Sequence, residues 1–167
     1  MIAVYIYRAM WFVGLILLQV LICNKVHVFG YATPFLYIYF IFKLDSSVST
    51  NALMFWGGLM GIIIDGFSNT PGANTATIVL LAFLRPFLLR LFVSRDNDVI
   101  IPSSRTMGRW SFGKYLIAGI LIHHTALLSI EFFPFTNIGG LLFRILLDSI
   151  LTFSLIMAID GMRKKQR

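Results

Sequence analysis

Charge is scarce in this chain. Asp, Glu, Lys and Arg together make up 13% of its 167 residues, and only seven of them are acidic. There is one cysteine, Cys23, which excludes an intrachain disulfide and a thiol-based metal cluster. Val20-Leu21-Ile22-Cys23 has a faint likeness to a lipoprotein processing site, but Ile22 is too bulky where such sites need a small residue. Cys23 therefore reads as a plain membrane thiol. No small-x-small cleavage site follows the first apolar run, so that run is expected to be retained. The known catalytic signatures are missing too. The chain has no Gly-rich phosphate loop with a following Lys, no Gly-x-Ser-x-Gly and no His-Glu-x-x-His. Asp65 and Ser68 sit three apart with no neighbouring His to complete a nucleophilic set. No enzyme activity, metal or cofactor is expected.

What the chain has in excess is apolar surface. Hydrophobic residues reach 58%, aromatics 15%, and the mean hydropathy is +0.85. A soluble domain of this size has too little interior to hide them, so lipid must be the solvent for most of the chain. The apolar runs are continuous rather than alternating, which excludes a membrane β-barrel. The expected fold class is an all-α, polytopic integral membrane protein of one domain.

Six membrane spans are expected, over about 5–23, 28–42, 52–67, 74–92, 115–133 and 138–159. The second is short for a span and contains Pro34, where a kink is expected. In the fourth, Pro86 removes a backbone donor, so a kink or an early end is expected, with Phe87–Val93 as a short interfacial helix. No convincing internal repeat is visible.

The net charge of +7 does not signal nucleic acid, because the basic residues flank apolar runs, where they set topology. Arg8, Lys43, Arg90, Arg95, Arg105, Arg109, Lys114, Arg163, Lys164, Lys165 and Arg167 fall on the side of the termini. Only Lys25 stands clear on the other. Both termini and the Ser94–Lys114 loop are therefore expected to be cytoplasmic, with Asp65–Gly72 and Pro134–Asn137 facing outwards. The basic tail also suits anionic lipid or a cytoplasmic partner.

Three groups of residues are singled out. Gly57, Gly58 and Gly61 form a small-residue face on segment three, suited to close helix packing and offered here as a partner surface. Asp65, Ser68, Asn69, Pro71 and Gly72 make a polar turn after it. With Asn74, Asp65 and Asn69 also line the polar side of an outward pocket, if one exists. Arg85, Arg144 and Asp148 are charges inside spans, each costing about 2.5–3.5 kcal/mol to insert unless paired or hydrated. Asp148 is expected to pair with Arg144 or Arg85, as a clasp that fixes helix register or as part of a proton or ion relay. His123 and His124 point about 100° apart on a helix, so they do not chelate one metal together. One is expected to hydrogen-bond inside the bundle and the other to face an interface.

Certain runs resemble a known family. They are Leu17-Leu18-Gln19-Val20-Leu21-Ile22-Cys23-Asn24, Pro34-Phe35-Leu36-Tyr37-Ile38, and more specifically Gly61-Ile62-Ile63-Ile64-Asp65-Gly66-Phe67-Ser68-Asn69-Thr70-Pro71-Gly72 with Leu81-Ala82-Phe83-Leu84-Arg85-Pro86. In order, they resemble MreD, the rod shape-determining membrane proteins, whose signature is Gly-Leu-x-x-Asp-x-Phe-Ser. Leu121-Ile122-His123-His124 is similar to the form in Bacteroidetes, and Gly66 stands where a larger apolar residue is usual. The resemblance covers nearly the whole chain through short motifs. It implies a non-enzymatic scaffold of the bacterial inner membrane, within the elongation complex of peptidoglycan synthesis. Its partners would be MreC, RodA, a class B transpeptidase and MreB filaments. It also implies a six-helix bundle like the substrate-binding component of energy-coupling-factor transporters. The alternative reading is a small-molecule or lipid-binding membrane protein of that transporter type.

Overall fold

The computed structural model describes residues 2–26, 32–93, 99–132 and 137–162. His27, Arg95, most of the Pro134–Asn137 turn and the basic tail from Arg163 lie outside the described residues. Among the described residues there are six α-helices: α1 Ile2–Leu21, α2 Tyr39–Lys43, α3 Thr50–Ser68, α4 Ala73–Phe92, α5 Arg109–Glu131 and α6 Ile138–Met162. No strand occurs among the described residues. Five of the six helices, all but α2, are long and apolar enough to cross a membrane. Each of the five spans 18 residues or more of apolar sequence, as a bilayer core requires.

Consecutive long helices pack as neighbours, α3 on α4, α4 on α5 and α5 on α6, with α1 against α3. The closest approach is at Gly61. A Cβ there would lie 2.8 Å from the backbone nitrogen of Thr75 and 3.1 Å from Ile78, so α3 touches the backbone of α4. Gly57 faces Ile78 and Ala82 of α4 as well as Ile41, and Gly58 faces Val79. The small-residue stripe is therefore covered by α4 and α2 of the same chain. It is not an open surface for a partner helix, which corrects that part of the expectation. A second close approach was not foreseen: a Cβ on Gly119 of α5 would sit 2.5 Å from the Phe42 ring.

Segment two departs from a kinked helix. Residues 32–35 are not helical, Leu36–Ile38 form one 3-10 turn, and only Tyr39–Lys43 are α-helical. Yet Phe35 to Phe42 are all buried, most of them completely. This piece is the core of the bundle, packed against α1, α4 and α6. Pro34 lacks an N–H and pushes its predecessor away from helical geometry, so a break before the 3-10 turn is what the residue favours.

Proline has the opposite outcome in α4, which continues through Pro86 to Phe92 without interruption. Neighbouring helices hold such a helix together where water cannot compete. α5 starts at Arg109, earlier than the apolar run, and carries the exposed Trp110 and Lys114 into its first turns. Basic and Trp residues at a helix end suit the membrane–water boundary.

Contacts define the two ends of the bundle. At one end Arg8 of α1 pairs with Asp45, and Lys43 pairs with Asp160 of α6 at 2.7 Å. The start of α1 and the end of α6 thus meet the same loop. At the other end Asn24 donates to Ser68 at 2.8 Å, joining the end of α1 to the end of α3.

Candidate functional site

A non-helical backbone inside a bilayer must find its hydrogen bonds within the protein, because unpaired groups cost several kcal/mol in hydrocarbon. Three distant side chains supply them here. The Thr33 N–H donates to Asp148 Oδ1 at 2.8 Å, and the Phe35 N–H donates to Thr152 Oγ1 at 3.0 Å. Gln19 serves two groups at once. Its Oε1 accepts from the Leu36 N–H at 2.8 Å, and its Nε2 donates to the Pro34 carbonyl at 3.0 Å. Gln19, Asp148 and Thr152 are each fully buried. The interior polar residues of α1 and α6 thus serve as surrogate helix partners for a segment that has none.

Asp148 and Thr152 are four apart on α6, so they share a face and reach successive amides of the segment. Thr152 Oγ1 also lies 3.2 Å from His124 Nε2, and His124 Nδ1 lies 2.9 Å from the Ile120 carbonyl. A carbonyl only accepts, so Nδ1 carries the proton and Nε2 accepts from the Thr152 hydroxyl. That leaves the Thr152 oxygen free to accept from Phe35.

His123 has the other tautomer. The Tyr37 hydroxyl donates to Asn74 Oδ1 at 2.8 Å and lies 2.8 Å from His123 Nε2. With the tyrosine proton committed to Asn74, Nε2 must carry its own and donate to Tyr37. His123 Nδ1 then points its lone pair into the interior with no partner among the described residues. Both histidines are fully buried. This corrects the expectation that one would face an interface: the Phe35 ring packs against both, 6.1 Å from the His123 imidazole and 5.2 Å from that of His124. Among the described residues, no group of three or more His, Cys, Asp or Glu side chains is placed to hold a metal.

The same network reaches the turn after α3. Asn74 Nδ2 donates to Asp65 Oδ1 at 3.0 Å and to Thr70 Oγ1 at 2.8 Å. Oδ1 of Asp65 also accepts from the Asn74 N–H and from Thr70 Oγ1, each at 3.0 Å. Oδ2 accepts from the Thr75 N–H at 2.9 Å and from its hydroxyl at 2.6 Å. Asp65 therefore caps the start of α4, where free N–H groups and the helix dipole favour an anion. Ser68 is held by Asn24. Asn69 and Gly72 adopt left-handed backbone, φ 54° and 78°, which lets the chain reverse around Pro71. The oxygens of Asp65 and the amide of Asn74 are thus occupied by protein. A cavity of about 320 Å³ is lined by Arg8, Phe12, Phe40, Leu44, Val48 and Trp56 with their neighbours, at the opposite end of the bundle.

Of the three charges inside the expected spans, Asp148 pairs with Arg144, one of the two pairings expected, and only Arg85 stands apart. Arg144 Nε lies 3.7 Å from Asp148 Oδ2, one turn away on α6. Arg85 is elsewhere, 1% exposed, at the end of the bundle marked by Asp45. Its guanidinium donates to the carbonyls of Leu44 and Asp45 and to the Tyr115 hydroxyl. It closes the carbonyl end of α2, where a cation is favoured. Asp160 accepts from Lys43, the residue before Leu44, from the Ser104 N–H at 2.9 Å and from the Ser104 hydroxyl at 2.7 Å. Sequence reasoning did not single out Gln19, Thr152, Tyr37 or Asp160 as a set. Only their polarity within apolar runs could have marked them.

Compared with known proteins, the chain matches no protein-family profile, no curated protein and no solved structure.

Proposed function

We propose that this chain is a non-enzymatic scaffold of the bacterial inner membrane, acting in the rod complex that elongates the cell. In this reading it spans the membrane six times, with residues 32–43 as the broken second crossing and both termini in the cytoplasm. It holds MreC and the peptidoglycan-synthesis machinery, RodA and a class B transpeptidase, in register with MreB filaments. The observation that supports it most is the use of Asp65. The family-like run from Gly61 to Gly72 builds a capped hairpin whose carboxylate is spent on the protein's own α4, as suits a structural element. The alternative, a vitamin-transporter-like binder, needs Asp65 and Asn74 free to meet a ligand, and both are engaged.

With the glycine stripe covered, a partner helix would pack on faces that stay open. The Met10, Val13 and Leu17 side of α1 and the Leu142, Leu146 and Ile150 side of α6 are such faces. Cross-linking in native membranes followed by pull-down tests the proposal. Capture of MreC with wall-synthesis enzymes is the expected result. Capture of a transporter energising subunit instead would overturn it.

A further inference from the structure

Asp148 has only half of what an ionised carboxylate needs in a dry interior. Oδ1 accepts from Thr33, but Oδ2 has no hydrogen-bond partner, and the carboxylate is fully buried. It lies ten residues into α6, about 15 Å along the helix. Arg144 forms a loose ion pair with it. Its Nε is 3.7 Å from Oδ2, beyond hydrogen-bond reach, and has no hydrogen-bond partner, while its guanidinium lies 4.7 Å from the centre of the Phe132 ring. From α5, Glu131 is within electrostatic reach of both Asp148 and Arg144. His124, also on α5, reaches the site only through Thr152. On α1 the facing group is Gln19, which is uncharged, and residues 32–36 bring no charged side chain.

We propose that Asp148 is an exchangeable proton-binding site in the membrane interior. The proton is taken up at Oδ2, while Oδ1 keeps the bond from Thr33. A neutral acid short of one acceptor costs far less in low dielectric than an under-bonded carboxylate. Release gives the proton to water at the α5–α6 end of the bundle, where Arg144 is partly exposed. The carboxylate left behind draws the guanidinium off Phe132 into direct contact. Proton occupancy thus exchanges two positions of Arg144, with the non-helical segment held by Oδ1 in both. This goes beyond the scaffold reading and does not depend on any partner.

Infrared spectra of the purified protein in lipid vesicles test this, with carbon-13 on the aspartate carboxyls. A carboxylic acid C=O band that moves with the label, fades as pH rises and is absent in Asp148→Asn is the expected result. Arg144→Gln decides the matter even if Asp148→Asn does not fold. Without the cation the band should persist to higher pH, by about one unit or more. The proposal is overturned if labelled wild-type protein shows no aspartic acid band at any pH. It is equally overturned if the band survives in Asp148→Asn or is unmoved by Arg144→Gln.

Discussion

The backbone N–H of Thr33 donates to the side chain of Asp148 across 115 residues of sequence, at 2.8 Å. This bond and its companions from Thr152 and Gln19 let an unwound segment occupy the centre of an apolar bundle. Irregular backbone in an apolar interior needs protein partners, and three side chains from two helices supply them.

Gln19→Leu should be the most damaging neutral substitution in α1. It keeps the volume but leaves the Leu36 N–H and the Pro34 carbonyl unpaired, at about 1–3 kcal/mol each. Thermal melting in detergent should show a large drop. Leu18→Ile, next to it, should melt near the wild type.

Gly61→Ala should destabilise strongly, because its Cβ meets the Thr75 backbone and α3 must move off α4. Gly66→Ala, in the same helix, meets nothing within 4 Å and should be neutral or gain up to about 1 kcal/mol from helix propensity. Melting curves that failed to separate the two would contradict the close α3–α4 packing.

Asp65→Ala removes acceptors from the Asn74 and Thr75 amides and two threonine hydroxyls. A lost helix cap costs about 0.5–2 kcal/mol, and the loss of a charged acceptor adds to that. Hydrogen exchange should quicken at the first turn of α4, with α6 unaffected.

Arg85→Lys keeps the charge but cannot reproduce a planar fork to Leu44, Asp45 and Tyr115. At least one buried partner is left unpaired, at about 1–3 kcal/mol. Protease cleavage in the 44–49 loop, compared with wild type, reads the loosening directly.

The apolar runs by themselves determined that the chain forms helices, five of them long and apolar enough to cross a membrane, because continuous apolar runs leave helix as the way to satisfy the backbone. The Gly57–Gly61 spacing also determined that α3 would pack closely, and the residues from Asp65 to Gly72 that the chain would turn there. These are local properties, carried by residues within one or two turns of each other. Tertiary structure alone decided which neighbour filled the glycine face, and it was α4 rather than another protein. It also decided that Arg85 binds the Leu44 and Asp45 carbonyls at one end of the bundle while Asp148 holds the Thr33 amide at its centre, and that both histidines are interior. Above all it decided the fate of residues 32–43. A run so apolar reads as a membrane helix, and nothing within it says otherwise beyond Pro34. Its hydrogen-bond partners are Gln19, Asp148 and Thr152, up to 117 residues away, and only the folded chain brings them to it.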